Sequence, residues 1–94
     1  MFAVASQVDD EKSFIQFLYL LAKDRKNEIE LEKSNPSSPY SSGALGWENT
    51  LIEHFLESAF TWGEATTEGA EFYVKPDNPW SRAAQIICAG KSYE

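Results

Sequence analysis

The sequence predicts a small all-α domain of three helices, with room for a fourth and a long Ser/Pro loop between the first two. Two observations carry this. Apolar residues recur at helical spacing in three separate stretches, near 10–26, 50–62 and 78–90. Residues that start and stop helices flank those stretches.

In the first stretch, Phe14, Phe17, Leu18 and Leu21 form one stripe, widened by Ile15 and Ala22. Asp9 or Asp10 suits the N-cap, and Lys23, Arg25 and Lys26 suit the negative end of the helix dipole. Leu20 falls on the polar side. Residues Glu28 to Glu32 alternate Glu-Ile-Glu-Leu-Glu, which fits a strand by spacing and a continuing helix by propensity. Both readings stay open at that point. From Ser34 to Gly46 the chain holds two Pro, five Ser, two Gly and no charge, so a flexible loop is expected over about 33–46.

In the second stretch, Thr50 and Glu53 have the spacing of a capping box, with Asn49 as a competing N-cap. Leu51, Ile52, Phe55, Leu56, Ala59, Phe60 and Trp62 occupy one half of the wheel. Thr50, Glu53, His54, Glu57, Ser58 and Thr61 occupy the other. A half-apolar helix is expected to pack against more than one neighbour. Gly63 suits the left-handed residue that ends a helix. In the connection that follows, Phe72-Tyr73-Val74 reads as a short extended segment laying aromatic side chains over the helices. Asn78-Pro79 is a strong start for the third helix, with Asn as N-cap and Pro in the first turn. Trp80, Ala83, Ala84, Ile87 and Cys88 share its face, and Gly90 marks its end.

The 94 residues suffice for one domain, 1–94. Thirteen aromatic residues (three Trp, four Tyr, six Phe) give it the means to bury a core, expected around Phe14, Phe17, Phe55, Trp62 and Trp80. Trp47, preceding the second helix, is expected to be the most exposed of the three tryptophans.

Charge and motifs narrow the function classes. Eight Lys and Arg against fifteen Asp and Glu give a net charge of −7, which disfavours nucleic acid and anionic membranes. One cysteine, Cys88, permits neither an internal disulfide nor a cysteine metal cluster. Met1-Phe2-Ala3-Val4 lacks the features of a signal peptide, so a cytoplasmic location is expected. Residues 43–46 are too short for a phosphate-cradling loop, and no hydrolase constellation accompanies the single histidine. No cofactor or resident metal is expected.

Between Lys33 and Lys75 there are six Glu (48, 53, 57, 64, 68 and 71) and no Lys or Arg. This one-signed stretch points to a non-enzymatic interaction domain that binds a protein partner, basic in character, through Trp47, Glu53, His54, Glu57 and Glu64. One competing reading is a small metal-dependent or acid/base enzyme using His54 with Glu53, Glu57 or Glu94. Another is a structural homodimer whose apolar faces pair across a two-fold axis.

Three segments also carry a resemblance: Trp47 through Trp62, with a Trp at each end; Trp80 through the Tyr93-Glu94 terminus; and the stripe at 14–21. In these the chain resembles a family of small bacterial proteins defined as a domain of unknown function. It departs from the pattern by a longer connection, Asn27 to Gly46. The resemblance implies no activity, cofactor or catalytic residue. In size and charge alone the chain is also similar to bacterial immunity proteins that neutralise toxins, or to adaptors.

Overall fold

The computed structural model describes residues 1–35 and 45–93; the greater part of the expected loop, and Glu94, lie outside them. Among the described residues there are four helices: α1 (Phe2–Ser6), α2 (Glu11–Ser34), α3 (Ile52–Ala65) and α4 (Pro79–Ala89). The fold is all-α, as expected. The fourth helix is α1, which no sequence signal marked.

α2 begins where the acidic residues suggested, at Asp10. The Asp10 side chain accepts from the Ser13 amide at 2.8 Å, and the Ser13 hydroxyl accepts from the Asp10 amide at 3.1 Å. Each group satisfies a donor that the first turn leaves without a helical partner. The hydrogen bond from the Ser13 amide holds the Asp10 carboxyl below its ordinary value. α2 then runs well past Lys26 to Ser34, so residues 28–32 are helical and Lys33-Ser34 belong to the helix rather than to the loop. Glutamate is at home in a helix interior, and Glu30 pairs with Lys33 one turn on at 3.2 Å.

α4 lies at the centre. α1, α2 and α3 all pack against it, α1 also touches α2, and the backbones of α2 and α3 do not meet. Its start follows the sequence reading: the Asn78 side chain accepts from the amides of Trp80 at 2.8 Å and Ser81 at 3.3 Å, with Pro79 in the first turn. The Asn78 amide group also donates to the Asp9 carbonyl at 2.9 Å, tying this helix start to the entry of α2. Asn78→Ala removes both functions, and a loss of about 1–2 kcal/mol is expected in urea titration. Small residues bring α1 close: Ala5 and Ala84 are fully buried, and Ser81 donates to the Ser6 carbonyl at 3.2 Å. Phe17, Leu21, Val8, Trp47 and Cys88 complete the buried cluster, with Phe14 and Phe55 packed on its edge.

Several local expectations give way to tertiary contacts. Asn49 does not cap α3, because its side chain donates to the carbonyls of Gly90 and Tyr93, both at 3.0 Å. Thr50 forms no capping box; α3 starts after Leu51 with no side-chain cap. Gly63 does not end α3, which continues to Ala65. Arg82 instead holds the Gly63 carbonyl at 2.8 Å and the Thr66 hydroxyl at 2.8 Å, while its guanidinium lies 5.2 Å over the Trp62 ring. The left-handed glycine comes later, at Gly69, whose φ is +86°. There the chain turns so that Ala70 and Tyr73 exchange backbone hydrogen bonds of 3.0 and 3.1 Å. Tyr73 packs edge-on against Trp62 at 5.0 Å and reaches Phe2 at 6.4 Å. Phe72 and Val74 point the other way, 95% and 90% exposed, so only one ring of that segment covers the helices. Trp80 packs at a tilt against Phe14 at 5.5 Å yet remains 37% exposed, less buried than expected. Gly90 does mark the end of α4. Its hydrogen faces the Phe55 carbonyl so closely that a Cβ would stand 2.7 Å from that oxygen.

Candidate interaction surface

Trp47 explains why α2 and α3 stay apart. The segment 45–49 passes between them and is held from both sides. The buried carboxylate of Glu28 accepts from the amides of Leu45 at 2.9 Å and Trp47 at 3.2 Å. Asp24 accepts from the Trp47 indole and from the Lys91 ammonium, both at 2.8 Å. On the far side the indole stacks on Phe55 of α3, 6.1 Å between centroids. Trp47 is therefore 6% exposed, which corrects the expectation that it would be the outermost tryptophan and leaves its ring no face for a partner.

The Asp24 carboxyl sits in a balance. Partial burial raises its pKa, but the hydrogen bonds from Lys91 and Trp47, with the Lys91 charge, outweigh that and hold it below the ordinary 3.8. A depressed carboxyl contributes stability that is complete above its unfolded value and is lost as pH falls through its folded one. Acid titration should therefore show a stabilising contribution that disappears below about pH 4, and Asp24→Asn should remove that part of the acid limb.

The other predicted residues stand on the outside of α3. Glu53, His54, Glu57 and Glu64 are all exposed. Beside them lies part of the apolar half of α3, which is expected to pack against more than one neighbour and is not covered here. Ile52 is 78% exposed, and Leu56 and Phe60 are each 59% exposed. Spaced four residues apart, the three form a stripe along the 14-residue helix. They are uncovered because α3 packs mainly on α4, with Phe2 of α1 meeting it only at the Trp62 ring, at 6.2 Å. One helix neighbour can bury about half of a half-apolar helix. At about 100° per residue, Glu53, Glu57 and Glu64 all fall along one edge of the stripe, with His54 farther round.

No family model, curated protein or solved structure matches the chain. What the surface can do must be read from its geometry.

Two other features offer chemistry. An open cleft of 610 Å³ between the start of α1 and the end of α4 is lined in part by Met1, Trp62, Cys88, Lys91 and Tyr93. Burial pushes the Cys88 thiol above its ordinary 9.0, so at neutral pH it is a protonated, weak nucleophile. His54 is the second feature. Among the described residues no three metal-binding side chains come together, around His54 or elsewhere. Glu94, its other expected carboxylate, lies outside the described residues. Also among the described residues, no helix is long and apolar enough to cross a membrane.

Proposed function

We propose that this chain is a non-enzymatic interaction domain that docks an amphipathic helix on the outer face of α3. The observation that supports it is the exposed stripe Ile52, Leu56 and Phe60 with glutamates along one edge. Apolar side chains spaced four apart on a helix are the complement of another apolar helical stripe. Burying them recovers roughly 1.5–3 kcal/mol per side chain before ordering costs are subtracted. The edge of Glu53, Glu57 and Glu64 then selects a partner with basic residues along the matching edge, chiefly by steering its approach and penalising acidic competitors.

A synthetic pair of amphipathic peptides tests this, one with lysine along the edge of its apolar stripe and one with glutamate there. With the protein labelled and kept below micromolar concentration, fluorescence anisotropy should show binding of the lysine-edged peptide only. That binding should weaken as salt rises and fall at least about tenfold in Glu53→Lys with Glu57→Lys. Leu56→Asp should abolish it while leaving stability within about 0.5 kcal/mol, because the position is on the surface. Equal binding of both peptides, or of neither, would overturn the proposal.

A further inference from the structure

A helix with the features proposed for the partner of α3 is present in the chain itself. Lys12, Lys23, Arg25, Lys26 and Lys33, five of the eight basic residues, belong to α2. α3 carries glutamates and neither Lys nor Arg. α2 also has an uncovered apolar stripe on the side turned away from α4: Ile15, Leu18, Tyr19, Ala22 and Ile29 are all exposed. The buried side of the same helix is used by Phe17, Leu21 and Glu28. Within one chain the two stripes cannot meet, because the Trp47 segment stands between α2 and α3.

We infer that two copies of the chain associate reciprocally, the outer stripe of α2 in each covering the outer stripe of α3 in the other. The charges fix the direction. At about 100° per residue, Lys12 and Lys23 fall to the advancing side of the α2 stripe, as Glu53, Glu57 and Glu64 do on α3, while Lys26 and Lys33 lie within the stripe itself. Edges of the same hand face one another when packed helices run antiparallel, so antiparallel α2–α3 packing sets lysine against glutamate. Antiparallel pairing of α3 with its own copy would set glutamate against glutamate instead. Glu30, on the lysine side of α2, is already paired with Lys33. Glu11 lies within the α2 stripe near its start, at the end of the helix where a negative charge is favoured. Ile15 to Ile29 spans about 21 Å of helix and Ile52 to Phe60 about 12 Å, so the α3 stripe fits within the length of the α2 stripe. One such contact is small beside the roughly 800 Å² per partner of a specific interface; a two-fold axis supplies the contact twice.

This inference rests on α3 being a docking face, so its test is arranged to separate the two. Sedimentation equilibrium from sub-micromolar to several hundred micromolar should show the wild-type chain passing from monomer to dimer. Leu56→Glu with Phe60→Glu on α3, and Ile15→Glu with Tyr19→Glu on α2, should each give a monomer with unchanged helical circular dichroism. An equimolar mixture of the two variants should associate more than either variant alone but more weakly than wild type, because one of the two α2–α3 contacts then joins unaltered stripes. Glu53→Lys with Glu57→Lys should raise the dimer dissociation constant about tenfold at low salt. A wild-type chain that stays monomeric throughout, an α2 variant that dimerises like wild type, or a mixture that associates no more than either variant alone would overturn the inference. If the monomeric chain nevertheless binds the lysine-edged peptide, the partner is foreign and the docking function of α3 stands without the dimer. Failure of both experiments would remove both.

Discussion

Phe17→Ala should lower stability by about 3–5 kcal/mol, enough to move the melting midpoint down by roughly 12 °C or more. Phe17 is 1% exposed and is the largest apolar side chain fully buried among the described residues. It lies on the inner face of α2, in the cluster with Leu21, Ala84 and Cys88, and its ring is 6.4 Å from that of Phe14. Truncation removes the transfer energy of the ring and leaves a cavity that helices on both sides cannot readily close. Because α2 reaches the rest of the protein chiefly through this face, the loss should be felt as detachment of α2 from α4. Differential scanning calorimetry with urea titration measures it. A loss below about 1 kcal/mol would mean that α2 is not anchored there.

Glu28→Ala should be the second large loss, about 2–5 kcal/mol, and unlike the first it is a loss of polar contacts. The Glu28 carboxylate is buried and accepts from two backbone amides, at Leu45 and Trp47, with Arg25 at 3.5 Å as its counter-charge. Alanine leaves those amides without their acceptor, at about 1–3 kcal/mol for each that stays dry. Glu28→Gln keeps the Oε1 acceptor, so it should recover much of the difference. Glu30→Ala, one turn fraction away on the exposed side, should cost little. Trp47 fluorescence should report the change directly, since its indole would leave Asp24 and Phe55 as the segment 45–49 loosens. The distance between α2 and α3 is set by that segment. The same substitution should therefore weaken any association that uses both outer stripes.

The features legible in the sequence are those decided within a few residues. The Asp10 cap of α2 and the Asn78-Pro79 start of α4 are local hydrogen-bond and dihedral preferences, and each appears where its residues stand. α1 escapes such a reading because Phe2–Ser6 is five residues with no side-chain cap, stabilised by Ala5 and Ser6 against α4 some 75 residues on. Gly63 and Asn49 carry local signals that lose to distant partners, Arg82 for one and the end of α4 for the other. The burial of Trp47 depends on Asp24 and Glu28, residues whose own pattern reads as an ordinary solvated helix face.

The site divides in the same way. That Glu53, Glu57 and Glu64 form a one-signed edge follows from spacing alone. Ile52, Leu56 and Phe60 share a face by the same periodicity, but periodicity does not distinguish an apolar stripe covered within the chain from one left for a partner. Only the arrangement of neighbours decides it. Here α4 and the Trp47 ring stacked on Phe55 cover the inner side of α3, and the backbone of α2 does not reach the helix.

The central claim is that the outer face of α3 is a docking face, and NMR mapping tests it most directly. The labelled chain is titrated with the lysine-edged helix at low protein concentration, and amide and methyl shifts are followed residue by residue. The largest changes should fall at Ile52, Leu56 and Phe60, with smaller ones at Glu53, Glu57 and Glu64 that fade as salt is added. Changes centred on the cleft near Met1 and Lys91, or no saturable changes on α3, would contradict the account.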